Sequence, residues 1–254
     1  MSNDIMIVDN FEMMNNDVPD FGDYESDLNT SLAGFAARNK ISLKGQLFTL
    51  MRADGAPVPL PGDGDTLRVV IIQANPNNSK SYFGRDYDQD AEDTAPLCSS
   101  INGKTADTHI DATKALAMGS TLHCGTCPHN IKGSGKLGRG KACADRKHIV
   151  VLPLDDITTP YSVNLSVTGK ISLQNHVSAL QQIASTKGMK QLPLEFVVSE
   201  MYFLKRDPKT SEVYPQPRLF FRPVGFVTKE KVEEIKLLRN TEEVLRLAYL
   251  LEDT

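Results

Sequence analysis

The chain has 254 residues, 40% of them hydrophobic and 24% charged, with no Trp and a formal net charge of −4. It is long enough to bury a core without disulfide staples, and its composition excludes fibrous and wholly disordered classes. No run approaches the ~18 apolar residues of a membrane-spanning helix, and the first residues lack the basic-then-apolar layout of a signal peptide, so a cytoplasmic protein with no membrane contact is expected.

Residues 1–37 carry eight carboxylates and no Lys or Arg, a local charge of −8 that leaves +4 on the remainder. Such a segment cannot bury enough apolar surface to offset its ordering entropy, and a mobile acidic arm is expected. Its scattered Phe11, Met13, Met14, Phe21 and Tyr24 leave two readings open. The arm is a solvated tail, or its carboxylates and aromatics imitate a nucleic-acid strand or dock a partner.

Residues 38–227 are expected to form the folded body, with an insertion at about 75–147, and residues 228–254 a helical end. Residues 41–51 alternate apolar and polar as one half-buried strand does, and 55–65 are rich enough in Gly and Pro to read as loop. Residues 66–74 are β-branched through the middle, as in a strand buried on both faces. From 75 to 142 no period is sustained apart from a short helix near 111–118. A structureless loop of that length is improbable in a compact domain, so something other than an apolar core must organise it. Strands follow at 148–154 and 161–167, a helix at about 175–186 stopped by Gly188, and a strand at 194–204. A turn with Asp207 and Pro208 leads to a partner strand at 218–221, broken by Pro223. Two helices capped by Thr228 and Thr241 close the chain, with Val244, Leu247, Ala248 and Leu251 on one core-facing stripe. The fold class is mainly β with α (α+β), specifically an OB-like, partly open barrel with a metal-organised insertion.

The insertion holds all four cysteines. Cys124 and Cys127 are two residues apart, with Cys98 before them and Cys143 after. Two thiolates at that spacing grip one ion through a single turn, and two more complete a closed tetrahedral shell, so structural zinc is expected; an iron-sulfur cluster suits the same four ligands and the proline after Cys127, and reduced thiols with no metal are the third reading. His123 and His129 read as surface histidines beside the metal loop. Within residues 130–142, Gly133 to Gly138 match G-x-G-x-x-G and Gly135 to Lys141 match the start of a P-loop. Neither holds in context: no strand precedes, too much Gly follows for a helix, and Ala142 stands where magnesium needs Ser or Thr.

What this stretch offers is charge. Lys132, Lys136, Arg139, Lys141, Arg146 and Lys147 face only Asp145, a balance of +5 over residues 128–148. A basic, glycine-rich loop fixed at both ends is a nucleic-acid finger or a solvated loop. Two further places mix cations with aromatics: Tyr82, Phe83, Arg85 and Tyr87, and the strand in which Arg218, Phe220 and Arg222 share one face while Leu219 and Phe221 share the other. Base stacking beside phosphate pairing is the strategy of single-strand binders, and an edge strand with one buried aromatic is the alternative. No catalytic constellation assembles, and no enzyme is expected.

The Cys98 segment Ala-Pro-Leu-Cys-Ser-Ser, the Cys-Pro-His-Asn and Gly-Arg-Gly-Lys-Ala-Cys pieces of the cysteine loop, Arg146, and Leu-Phe-Phe-Arg-Pro-Val-Gly-Phe from Leu219 together resemble a group of bacteriophage single-stranded-DNA-binding-like proteins. The resemblance covers most of residues 40–250. It implies a DNA replication or recombination protein with an OB-like barrel, working in the infected cell's cytoplasm. Many such proteins end in an acidic tail that recruits replication partners, whereas this chain ends Leu251-Glu252-Asp253-Thr254 and is acidic at the other end. The arm at residues 1–37 would then be what meets replication or recombination proteins. A protein-interaction module that docks a replication or transcription enzyme through the cysteine knuckle is the rival function.

Overall fold

The β-branched run at 66–74 does form a doubly buried strand, and the rest of the body is arranged around it. The computed structural model describes residues 38–53, 55–58, 60, 64–84, 96–206 and 210–249. The acidic arm, Arg85, Tyr87, the Asp207–Pro208 turn and Leu251 lie outside the described residues. The strands are β1 (Lys40–Ser42), β2 (Thr49–Met51), β3 (Pro57–Val58), β4 (Thr66–Ala74), β5 (Ser79–Tyr82), β6 (Cys98–Ser100), β7 (Ala144–Pro153), β8 (Tyr161–Leu165), β9 (Val197–Arg206) and β10 (Val213–Phe226). The helices are α1 (Ala112–Ala117), α2 (Val167–Thr186), α3 (Lys229–Leu238) and α4 (Glu242–Tyr249). The fold is mixed α+β, a mostly β, curled half-barrel sheet with a few helices. Strand order is β10-β9-β4-β7-β8-β1-β2-β3, with β5 and β6 joined to the side of β7. All pairs are antiparallel except β1 with β8. Among the described residues no helix is long and apolar enough to cross a membrane.

Period-two alternation in β4 and β7 builds two cores from the same two strands. Leu67, Val69 and Ile71 of β4 and Ile149 and Val151 of β7 face one way, into a core shared with Ile41, Leu50, Tyr161, Val163, Leu165, Met201, Leu219 and Phe221 and covered by Leu173 of α2. Val70, Ile72, Val150 and Leu152 face the other way, against Ile235 of α3 and Val244, Leu247 and Ala248 of α4. The C-terminal stripe is therefore a core face.

Several boundaries differ from the sequence reading. The strand expected at 41–51 is two strands. A 3-10 turn at Lys44–Gln46, with Gly45 and Gln46 both at positive φ, reverses the chain so that Ile41 pairs with Leu50. The loop expected at 55–65 contributes β3, which pairs with β2. Helix α2 starts eight residues before 175, at Val167, where the Ser166 hydroxyl accepts from the Gly169 amide at 3.3 Å; Thr168 and Gly169 are weak helix formers that hid its first turn. Pro223 does not end β10. This is an edge strand, where a missing amide is tolerated, and the ladder absorbs the proline through a register shift between Pro223 and Gly225. The Thr241 hydroxyl accepts from the Val244 amide at 3.4 Å, whereas the Thr228 side chain caps nothing.

Candidate metal centre and nucleic-acid interface

The long aperiodic stretch is organised by small elements around its sulfurs. Asp111 caps α1 through the Lys114 amide at 3.0 Å, β5 pairs with β6, and the start of β7 pairs with β5. These elements bring Cys98 from the start of β6, Cys124 and Cys127 from one turn and Cys143 from just before β7 to the lining of one cavity of about 20 Å³, room for a single water-sized body. All four are free thiols, and Cys124, Cys127 and Cys143 are buried. Burial pushes the Cys143 thiol up to about 12 and raises Cys98 as well, which favours the protonated form of these two thiols. As placed, no group of three or more His, Cys, Asp or Glu among the described residues could hold a metal ion. Four thiols are the donor chemistry of tetrahedral sulfur coordination, and their side chains would have to converge to provide it. His129 stands outside the set, with Nε2 2.8 Å from the Met118 carbonyl and its ring stacked on Tyr82 at 4.0 Å. Both His123 and His129 line the cavity.

The cations of the loop divide into two groups. Lys132, Lys136 and Arg139 are exposed. Lys141 turns back, 3.1 Å from Asn130 Oδ1 and 3.5 Å from Asp145, which also accepts from Lys80 at 2.6 Å. Burial would raise the Asp145 carboxyl, but the Lys80 hydrogen bond and charge hold it below its ordinary value. Lys147 donates to the carbonyls of Asn75 and Pro76, and burial followed by the Lys170 charge lowers its pKa. Lys147 thus serves the fold, while Lys141 stays exposed although tied to Asn130 and Asp145. Tyr82, expected to stack on bases, already stacks on His129. Phe83 and Arg146 line a cleft of about 330 Å³ with Ser79, Asp107, His109 and His148. There Ser99 Oγ donates to Asp107 at 2.7 Å and lies 3.3 Å from His109 Nε2.

A second site lies on the outer part of β4, β9 and β10. Register places Thr66, Tyr202 and Phe220 in one row and Arg68, Glu200 and Arg222 in the next. The Phe220 ring sits between Tyr202 at 6.0 Å and Tyr214 at 6.3 Å, Arg218 lies over Tyr214 at 3.9 Å, and Arg222 lies over Tyr202 at 5.1 Å. Leu219 and Phe221 are buried on the opposite face, as the alternation requires. Glu200 is only 4% exposed and receives Arg68 Nε at 3.2 Å and Arg222 Nε at 2.6 Å. Burial would raise this carboxyl, but the hydrogen bonds and charges of Arg222 and Arg68 lower it. It fixes both guanidiniums beside the aromatic row while their side chains stay more than half exposed.

The two sites are apart. The aromatic row meets β4 at its first residues, whereas the cysteine knuckle hangs from the start of β7 beyond the Ala74–Ile149 pair. At ~3.3 Å per residue, Arg68 and Ala74 are separated by about 20 Å. The sequence reading named both aromatic clusters and the basic loop as strand contacts; Tyr82 lies at the knuckle, whereas Arg218, Phe220 and Arg222 lie at the other site. Arg68, Glu200, Tyr202 and Tyr214 escaped that reading, because only strand pairing brings them to Arg218, Phe220 and Arg222. Comparison with protein-family models, curated proteins and solved structures gives no match.

Proposed function

We propose that the protein binds single-stranded DNA with little sequence preference, without catalysis, in DNA replication or recombination within the cytoplasm. The observation that carries this reading is the row of half-buried Tyr202 and Phe220 and buried Tyr214, with Arg218 and Arg222 over the rings and Arg68 held beside them by Glu200. Bases stack on such rings whatever their identity, while guanidiniums meet phosphates. Lys132, Lys136 and Arg139 add a second basic contact at the knuckle. The curled sheet, with its non-sequential order and β9 inserted beside β4, is compatible with an OB-like barrel, a partly open Greek-key architecture that binds strands on its sheet face. For the four cysteines we propose one structural zinc, coordinated by Cys98, Cys124, Cys127 and Cys143, with an iron-sulfur cluster as the alternative occupant; the shared cavity and the two-residue turn between Cys124 and Cys127 support it.

Titration of the full chain into fluorescent oligothymidine at two salt concentrations tests the function. Tight, salt-sensitive binding is expected, weakened tenfold or more by Tyr202→Ala with Phe220→Ala, since each stacked base contributes ~1–3 kcal/mol. Absence of binding at low salt would overturn it and leave the knuckle as a protein-docking surface.

A further inference from the structure

The tip of the knuckle loop carries a side chain that folding does not use. Leu137 is 87% exposed, the most exposed large apolar residue among the described ones, and sits at φ 54°, ψ 31°. Glycine adopts this left-handed conformation without strain, whereas a leucine there has its Cβ against its own backbone. The tip is closed tightly around it. Gly133 N donates to Gly140 O at 2.6 Å, Gly138 N to Gly135 O at 3.1 Å and Arg139 N to Lys136 O at 3.1 Å. A Cβ on Gly135 would stand 2.1 Å from the Arg139 carbonyl, which shows how near the two arms of the loop come. The base is cross-tied as well: Cys143 N donates to His129 O at 2.8 Å, Ser134 Oγ to the same oxygen at 2.9 Å, and Asn130 Nδ2 to Cys124 O at 2.6 Å. A stiff loop thus presents one strained leucine to solvent between exposed Lys136 and Arg139, with Lys132 at its foot.

An apolar side chain ringed by cations is complementary to a polyanion whose interior is apolar, and a stack of bases between phosphates is that structure. Leucine is among the side chains that proteins insert between base steps, where the cost of unstacking is offset by new apolar contact. We propose that Leu137 is a wedge that enters between adjacent bases of the bound strand while Lys136 and Arg139 meet the flanking phosphates. This rests on the strand-binding function proposed above and adds that binding unstacks the strand at the knuckle.

The test uses the full-length protein and a single-stranded oligodeoxyadenylate with one internal 2-aminopurine, whose fluorescence rises when its neighbours unstack. Wild type is expected to bind and to raise the fluorescence. Leu137→Gly is expected to bind about tenfold more weakly and to lose the rise, while its melting temperature holds or increases because the backbone strain is relieved. Leu137→Met should keep both signals. A Leu137→Gly protein with wild-type affinity and a wild-type rise would overturn the wedge and leave strand binding intact. Failure of wild type to bind any oligonucleotide at low salt would overturn strand binding itself. Loss of binding to anionic vesicles in Leu137→Gly, with oligonucleotide binding unaltered, would reassign the tip to a lipid surface and also overturn the wedge.

Discussion

His176 should make the fold acid-sensitive by an amount that can be worked out. It sits on the buried face of α2 at 3% exposure, with Nε2 2.9 Å from Ser199 Oγ and no partner for Nδ1. Burial lowers its pKa from 6.5 to about 4. Because the folded value is the lower one, the unfolded chain takes up the proton first as pH falls. The stability contributed by the neutral imidazole is complete above pH 6.5 and drains away between 6.5 and 4. One pH unit corresponds to about 1.4 kcal/mol, so His176 alone should cost about 2 kcal/mol at pH 5 and about 3 kcal/mol below pH 4. His148, lowered to about 4 by burial first and then by the Arg146 charge, adds a loss of similar size over the same range. Urea unfolding of wild type and His176→Gln at pH 7.5 and pH 5 isolates the first contribution, since proton-driven loss of a metal would weaken both proteins alike. The variant should lose about 2 kcal/mol less than wild type between the two pH values. Equal losses would refute a buried neutral His176.

Gly103→Ala should lower the melting temperature by several degrees: Gly103 sits at φ +70° and a Cβ there would meet the Asn78 carbonyl at 2.3 Å, a displacement costing about 1–3 kcal/mol, read by calorimetry. Glu200→Gln removes the carboxylate that neutralises Arg68 and Arg222 and should cost about 1–3 kcal/mol in denaturant unfolding. Purified protein should carry one zinc per chain by elemental analysis, lost in Cys124→Ser, and a brown, iron-containing preparation would select the cluster instead. Replacing Lys132, Lys136 and Arg139 together with Ala should flatten the slope of log affinity against log salt by about 2, and an unchanged slope would remove the loop from the interface.

Which features were legible in the sequence follows from how local they are. The double burial of β4 shows in its unbroken β-branched run, and the two faces of residues 218–222 show in strict alternation. The cysteine set marks itself by spacing, and the need for some organiser was evident from the length of aperiodic chain around it. Alternation in residues 200–204 also sorts Glu200 and Tyr202 from Met201 and Phe203, but parity within one strand does not tell which partner lies opposite. That register depends on β4 and β9 meeting across about 130 residues, so the aromatic row and its central glutamate emerge only with the sheet. The Tyr82–His129 stack and the inward turn of Lys147 likewise depend on loop geometry. Composition reports such cations as charge, without saying which of them are spent on carbonyls.

β7 belongs to both halves of the molecule: Ala144–Arg146 pair with β5 in the knuckle, and residues from Lys147 onward pair with β8 or β4 in the main sheet. Its length is therefore fixed from both ends. One inserted residue within it would rotate every following side chain to the opposite face, exchanging the contents of the two cores. An insertion at Leu137–Gly140 would break the tight turn at the tip but leave both cores in register. Lineages or engineers varying this chain can thus reshape the tip at a local cost, whereas the strand that carries it admits substitution and not a change of length.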